Sequence, residues 1–88
     1  MVKQTVTVRN ATGFSLGPTE YLNKTAVRFR SNTSFEYGET GTANAKSTLS
    51  VLGSGVKCGD EITLVCKGDD EEEALKALVE AIESGLGE

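Results

Sequence analysis

Val2, Val6 and Val8 alternate with polar residues along Val2-Lys3-Gln4-Thr5-Val6-Thr7-Val8-Arg9. A period of two in a Val/Thr-rich stretch predicts a half-buried strand with those three valines on one face. Asn10-Ala11-Thr12-Gly13 carries turn chemistry, and after Pro18 the period lengthens. Tyr21, Leu22, Ala26 and Phe29 fall about one helical turn apart, so an amphipathic helix is expected over roughly 18–28. Proline suits a first turn, where its missing N–H would have no intrahelical partner. Residues 33–37 read as a second strand, Gly38-Glu39-Thr40-Gly41 as a tight turn, and Thr42-Ala43-Asn44-Ala45 as a short returning strand. Leu49 and Leu52, three apart, predict a short helix over 47–52 that Gly53-Ser54-Gly55 stops. In the last strand, 61–66, Ile62, Leu64 and Cys66 face one way. The final helix buries a stripe of Ala74, Leu75, Leu78, Ala81 and Ile82. Its start carries an Asp70/Glu73 capping-box pair, Glu72–Lys76 adds an i,i+4 ion pair, and Gly85 ends it. The order is βαββαβα. Three helices with one apolar stripe each, and four strands with one apolar face each, predict an α+β fold: a four-stranded antiparallel sheet with every helix on one side.

The chain has 88 residues, enough for one domain over 1–88 and too few for a second core. No apolar run approaches the roughly 18–20 residues of a membrane span, and residues 1–20 hold no apolar signal core. A cytoplasmic protein without membrane insertion is therefore expected. Histidine is absent. That excludes Ser–His and Cys–His nucleophile pairs, histidine metal sites and phosphohistidine, so neither an enzyme nor a bound cofactor is expected. Cys58 and Cys66 cannot complete a zinc site and lack C-x-x-C spacing. A disulfide between them stays open, with two reduced, partly buried thiols favoured in a chain without an export signal. Net charge is −4, unevenly spread: residues 1–57 carry seven basic against three acidic residues, and 58–88 carry two against ten. A pI near 4.8 argues against nucleic acid as a partner.

The stretch from Gly41 to Ser47 misses the phosphate-binding P-loop, because Thr40 and Ala45 stand where that pattern needs glycine. The run Asp69-Asp70-Glu71-Glu72-Glu73 is explained by helix-starting charge without a cation. Lys24, Arg28 and Arg30 read as a solvated helix face in preference to an anion site. Asn10, Asn23 and Asn32 open N-x-S/T triplets that a threonine-rich chain produces by accident. Ser15 lies between the first strand and the first helix. A helix cap is the better reading there, since no base in the chain suggests itself to activate its hydroxyl. Ser47 has two readings as well: an N-cap, which spacing alone favours, or a phosphorylation site that would place about two negative charges beside Thr48, Leu49 and Leu52.

Gly13 and Pro18 around the first loop, Phe35-Glu36-Tyr37, Lys46-Ser47, the Gly53/Gly55 turn and the run Glu83-Ser84-Gly85-Leu86-Gly87-Glu88 together resemble HPr, the phosphocarrier family of the bacterial sugar phosphotransferase system. The likeness spans the whole chain, with one extra residue between Tyr37 and Lys46. It implies an open-faced β-sandwich with sheet order 1-4-2-3. The family's active loop reads Gly-(Leu/Ile)-His-x-Arg-Pro, and in this chain Ser15 and Gly17 occupy the His and Arg positions. A serine phosphate is a low-energy ester, so the relay role does not carry over. Ser47 matches the family's regulatory serine, the target of an ATP-dependent HPr kinase. Lys46, Thr48, Leu49 and Leu52, with Ser15 and Lys24, match the surface that meets partners, although Thr48 is more polar than the residue usual there. The resemblance thus implies an HPr-like protein acting as a regulatory binding module through Ser47. HPr kinase, phosphotransferase-system proteins and a catabolite-control regulator are the implied partners. The alternatives are an HPr-fold adaptor that binds a bacterial partner constitutively, or a decayed or altered phosphocarrier.

Overall fold

Seven elements follow one another in the computed structural model, which describes residues 1–88. They are β1 (Val2–Thr7), α1 (Leu16–Ala26), β2 (Asn32–Tyr37), β3 (Gly41–Asn44), α2 (Thr48–Gly53), β4 (Glu61–Lys67) and α3 (Glu71–Glu83). The strands form one antiparallel sheet in the order β1-β4-β2-β3. This is the expected βαββαβα order and the expected sheet.

Register places Leu64 of β4 opposite Phe35 of β2, and Phe35 opposite Ala43 of β3. All three side chains point into the core, because residues paired across antiparallel strands share a face. Phe35 is fully buried, with the Phe14 ring edge-on at 5.3 Å and the Tyr37 ring tilted at 5.8 Å. Leu22 and Ala26 of α1, Val51 of α2, and Ala74, Leu78 and Ile82 of α3 close over the same face. The opposite face carries Lys3, Thr5, Glu36, Thr42 and Thr63, with Thr5 and Thr63 hydroxyls 3.0 Å apart across β1 and β4. Glu36 meets Lys3 there at 3.8 Å, half-exposed, a pair of little energetic weight.

Several local expectations change. Helix α1 begins at Leu16, two residues before Pro18, and ends at Ala26, so Pro18 is the third helical residue and Phe29 lies beyond the helix. Proline is still harmless there because first-turn N–H groups have no partner four residues back. At the start of α3 no capping box forms: Asp70 makes no side-chain cap bond. Its carboxylate turns instead to the α1–β2 connection, accepting Arg30 N and Ser31 N at 3.0 Å each and the Ser31 hydroxyl. Glu71 takes the Met1 ammonium at 2.9 Å and Gly68 N at 3.1 Å. Glu72 and Lys76 form no ion pair, both being exposed to competing water. The buried stripe of α3 includes Val79 in addition to Ala74, Leu78, Ala81 and Ile82, while Leu75 is only partly covered. Both cysteines are free, but they are not alike in burial: Cys66, on the core face of β4, is buried, whereas Cys58, in the loop before β4, is exposed and not partly buried as expected.

Candidate functional site

Two surfaces carry the residues that the sequence brings forward: the loop entering α1 and the short helix α2. The loop is shaped by Gly13, whose φ of +60° is accessible to glycine without strain. A Cβ there would lie 2.5 Å from Val56 O and 2.7 Å from Lys57 Cα, so only glycine permits this close approach to the 56–57 backbone. Phe14 N donates to Val56 O at 3.0 Å and fixes the crossing. Thr19 closes the turn with its hydroxyl on Phe14 O at 3.2 Å.

Ser15 stands at the N-cap of α1 in extended conformation, but its side chain makes no cap bond. The hydroxyl turns away from the helix and donates to Thr12 Oγ1 at 2.8 Å. Thr12 Oγ1 in turn donates to Glu88 Oε2 at 2.8 Å. The cap expected for Ser15 is thus replaced by a chain of two hydrogen bonds ending on a carboxylate. Asn10, 5% exposed, completes the cluster by donating to Gly13 O at 2.7 Å and to Glu88 Oε1 at 3.2 Å. Gly17, two residues on, is exposed, and a Cβ there would meet nothing within 4 Å.

Helix α2 is capped as its sequence foretells: Ser47 Oγ accepts Ser50 N at 3.2 Å. Serine at this position supplies an acceptor to a donor the helix cannot satisfy internally. Ser50 Oγ reciprocates toward the preceding strand by accepting Asn44 N at 2.8 Å. The sequence of α2 sorts its faces, with Val51 fully buried, Leu49 83% exposed and Leu52 36% exposed. An isolated exposed leucine is ordinary, but Leu49 and Leu52 lie one turn apart on the same outward face.

Asn23 of α1 joins the two surfaces. Its Nδ2 donates to Ala45 O at 2.7 Å, and its Oδ1 accepts the Thr48 hydroxyl at 2.7 Å. Thr48 therefore has a structural use for its polarity: it ties α2 to α1. Lys24, next along, is exposed. Lys46 is half-buried, and its ammonium donates to Phe29 O at 2.7 Å, just beyond the end of α1. Ser15 lies eight residues before Asn23, about 12 Å along the helix axis, so Ser15 and Ser47 occupy separate parts of one helical layer.

Sequence reasoning missed Thr12, Asn10, Asn23, Leu16 and Glu88. Leu16, 57% exposed beside Ser15, was visible as an apolar residue outside the helical stripe. Glu88 gave no local signal, since 76 residues separate it from Thr12. The larger concavity of the surface, about 560 Å³, lies elsewhere, on the open face of the sheet between Thr5, Glu36, Thr42 and Thr63.

A family model described as the PTS HPr component phosphorylation site matches residues 2–84. The HPr-like protein Crh of Bacillus subtilis is 38% identical over 78 residues, covering 89% of this chain and 91% of that protein. The multiphosphoryl transfer protein of Salmonella typhimurium is 40% identical over 83 residues; the match takes in 92% of this chain and 22% of that longer protein. Among solved structures, the crystal structure of HPr-C-His from Thermoanaerobacter tengcongensis superposes with a TM-score of 0.94 at 40% identity, covering 100% of this chain and 98% of that one.

Proposed function

The chain belongs to the HPr family, and from that premise we propose that it is a regulatory binding module of the phosphotransferase system, switched by phosphorylation of Ser47 and not by relay of a phosphoryl group. The observation that carries this reading is the pairing of Ser47 with a displayed apolar turn. The hydroxyl caps α2 at its partly exposed edge, and Leu49 and Leu52 stand outward within the next turn and a half. A partner that buries those two leucines must also pass close to Ser47.

Phosphorylation by an ATP-dependent HPr kinase would transfer the γ-phosphoryl group to Ser47 Oγ, releasing ADP and the hydroxyl proton. The product carries roughly −1.5 to −2 charge at pH 7 beside an apolar contact. That charge selects partners whose surface sets cations against leucine pockets and repels those that present carboxylates. Asn23 and Thr48 hold α2 against α1, so the docking face is presented in a defined orientation before any partner arrives. Leu16, Ser15 and Lys24 extend the face along α1.

The relay role is set aside on composition: the chain has no histidine, and a serine ester at position 15 lacks the transfer potential of an N-phosphoryl group. The direct test is incubation of the protein with HPr kinase and ATP, read by mass spectrometry of the peptide containing Ser47. One phosphate on Ser47, abolished in Ser47→Ala, is the expected result. A wild-type chain that stays unmodified overturns the switch. Capture of the same partner by wild type and Ser47→Ala in equal amounts would favour a constitutive adaptor.

A further inference from the structure

Helix α2 has six residues, too few to be stable in water by itself, and Val51 is its one buried residue. Its seat therefore depends on side-chain ties. Two are local: Ser47 Oγ accepts Ser50 N, and Ser50 Oγ accepts Asn44 N. Between α1 and residues 45–53, both side-chain hydrogen bonds come from Asn23. Its Nδ2 donates to Ala45 O at 2.7 Å and its Oδ1 accepts the Thr48 hydroxyl at 2.7 Å. Ala45 is fully buried and donates its own N–H to Thr33 O of β2 at 2.9 Å, so one end of the Asn23 amide is held by a residue fixed to the sheet.

That grip sets the direction of the second bond. A carbonyl oxygen can only accept, so the amide presents its NH2 group to Ala45 and its oxygen to Thr48. The Thr48 hydroxyl is then the donor, and its proton is committed to α1. Thr48 and Leu52 are four residues apart, and Leu49 and Leu52 three, spacings that put the three side chains on one helical face. All three are exposed, whereas Asn23 is half-buried. A hydroxyl free on such a face would lose its water when an apolar partner covered it, and an unpaired polar group inside a contact weakens that contact.

We propose that Asn23 is a positioning residue for the Ser47 surface: by drawing the Thr48 hydroxyl to α1, it leaves the Thr48 methyl to the partner, beside Leu49 and Leu52. The face is thereby apolar to a partner although one of its three residues is polar by type. The partner it fits sets an apolar pocket against that methyl and no hydrogen-bonding group. Asn23 makes no bond to Ser47 and acts on the face through Thr48. The inference rests on the Ser47 reading and adds to it the residue that sets the chemistry of the contact.

The test is the rate at which HPr kinase and ATP phosphorylate Ser47, with KM for the protein separated from kcat and the modified residue read by mass spectrometry. Thr48→Val keeps the methyl and should stay within about twofold of wild type. Thr48→Ser keeps the bond to Asn23 but lacks the methyl, and its KM should rise about fourfold, the effect of one buried methyl. Asn23→Ala frees the hydroxyl and should raise KM about tenfold. Combining Asn23→Ala with Thr48→Val leaves no hydroxyl to bury and should bring KM back to within about threefold of wild type, which a residue needed only for folding would not allow. Equal KM throughout the series, a loss in Asn23→Ala that Thr48→Val does not recover, or a loss in Thr48→Val as large as in Thr48→Ser each overturn the role of Asn23 and leave the Ser47 switch in place. A wild-type chain that stays unmodified overturns the switch itself, and this inference with it.

Discussion

Ser15 and Ser47 are the same residue type at the same nominal position, the N-cap of a helix, and they behave differently. Ser47 faces an unsatisfied Ser50 N–H and takes it. Ser15 has a stronger neighbour in the Thr12–Glu88 pair and leaves its helix uncapped by a side chain. The Ser15–Thr12 bond joins two neutral hydroxyls and is polarised by Thr12's own donation to the Glu88 carboxylate, and the Ser15 oxygen in that arrangement accepts no N–H of α1. Gly13 shows a residue chosen by space and backbone together. Replacing it with alanine puts a methyl 2.5 Å from Val56 O while φ stays at +60°. Gly13→Ala should therefore destabilise the protein by roughly 2–4 kcal/mol in urea unfolding, well beyond the cost of an ordinary surface change. A loss below about 0.5 kcal/mol would show that the loop moves aside freely.

Among the elements, the start of α3 has the clearest energetic signature. Asp70 joins it to the α1–β2 connection, and its carboxyl is lowered from 3.8 to about 2, first by the Ser31 hydroxyl and then by Arg30 N. Because the folded value lies below the unfolded one, the native state binds this proton less readily than the unfolded chain does. The stabilisation from Asp70 is complete above about pH 4 and fades as pH falls toward 2. Urea midpoints of wild type and Asp70→Asn should differ at pH 7 and converge near pH 2. A gap that persists unchanged at pH 2 would assign the loss to shape and not to charge. Glu71 and Glu88 are lowered as well, so the difference between the two proteins, not the wild-type curve alone, isolates Asp70.

At the scale of the whole molecule the two cysteines report on the layer architecture. Cys66 points from β4 into the core, where burial first, and then the charges of Glu71 and Asp70, push its thiol up. Cys58 is exposed beside Arg9 O. One thiol should react with an aromatic disulfide reagent in native buffer, and the second only at the rate of unfolding, a split that Cys58→Ser reduces to the slow phase. Two fast equivalents would mean that the helix layer opens readily over β4. The same one-sided layering leaves the Ser15 loop and α2 on the helical side, apart from the polar sheet face opposite.

Most of the element order was legible in the sequence because alternation in strands and stripes in helices depend on neighbours two to four residues apart. The valines of β1, the Ile62-Leu64-Cys66 face of β4 and the Ser47 cap all belong to that local class. What the sequence by itself determined was therefore the α+β class, the absence of histidine chemistry and the surface turn of Leu49 and Leu52. Tertiary structure decided which partner each polar side chain chose. Asp70 left its own helix for Ser31, Thr48 turned to Asn23, and Ser15 was drawn through Thr12 to Glu88. Those choices depend on which donors the fold brings within 3 Å, across separations of up to 76 residues, and no periodicity in the chain encodes them.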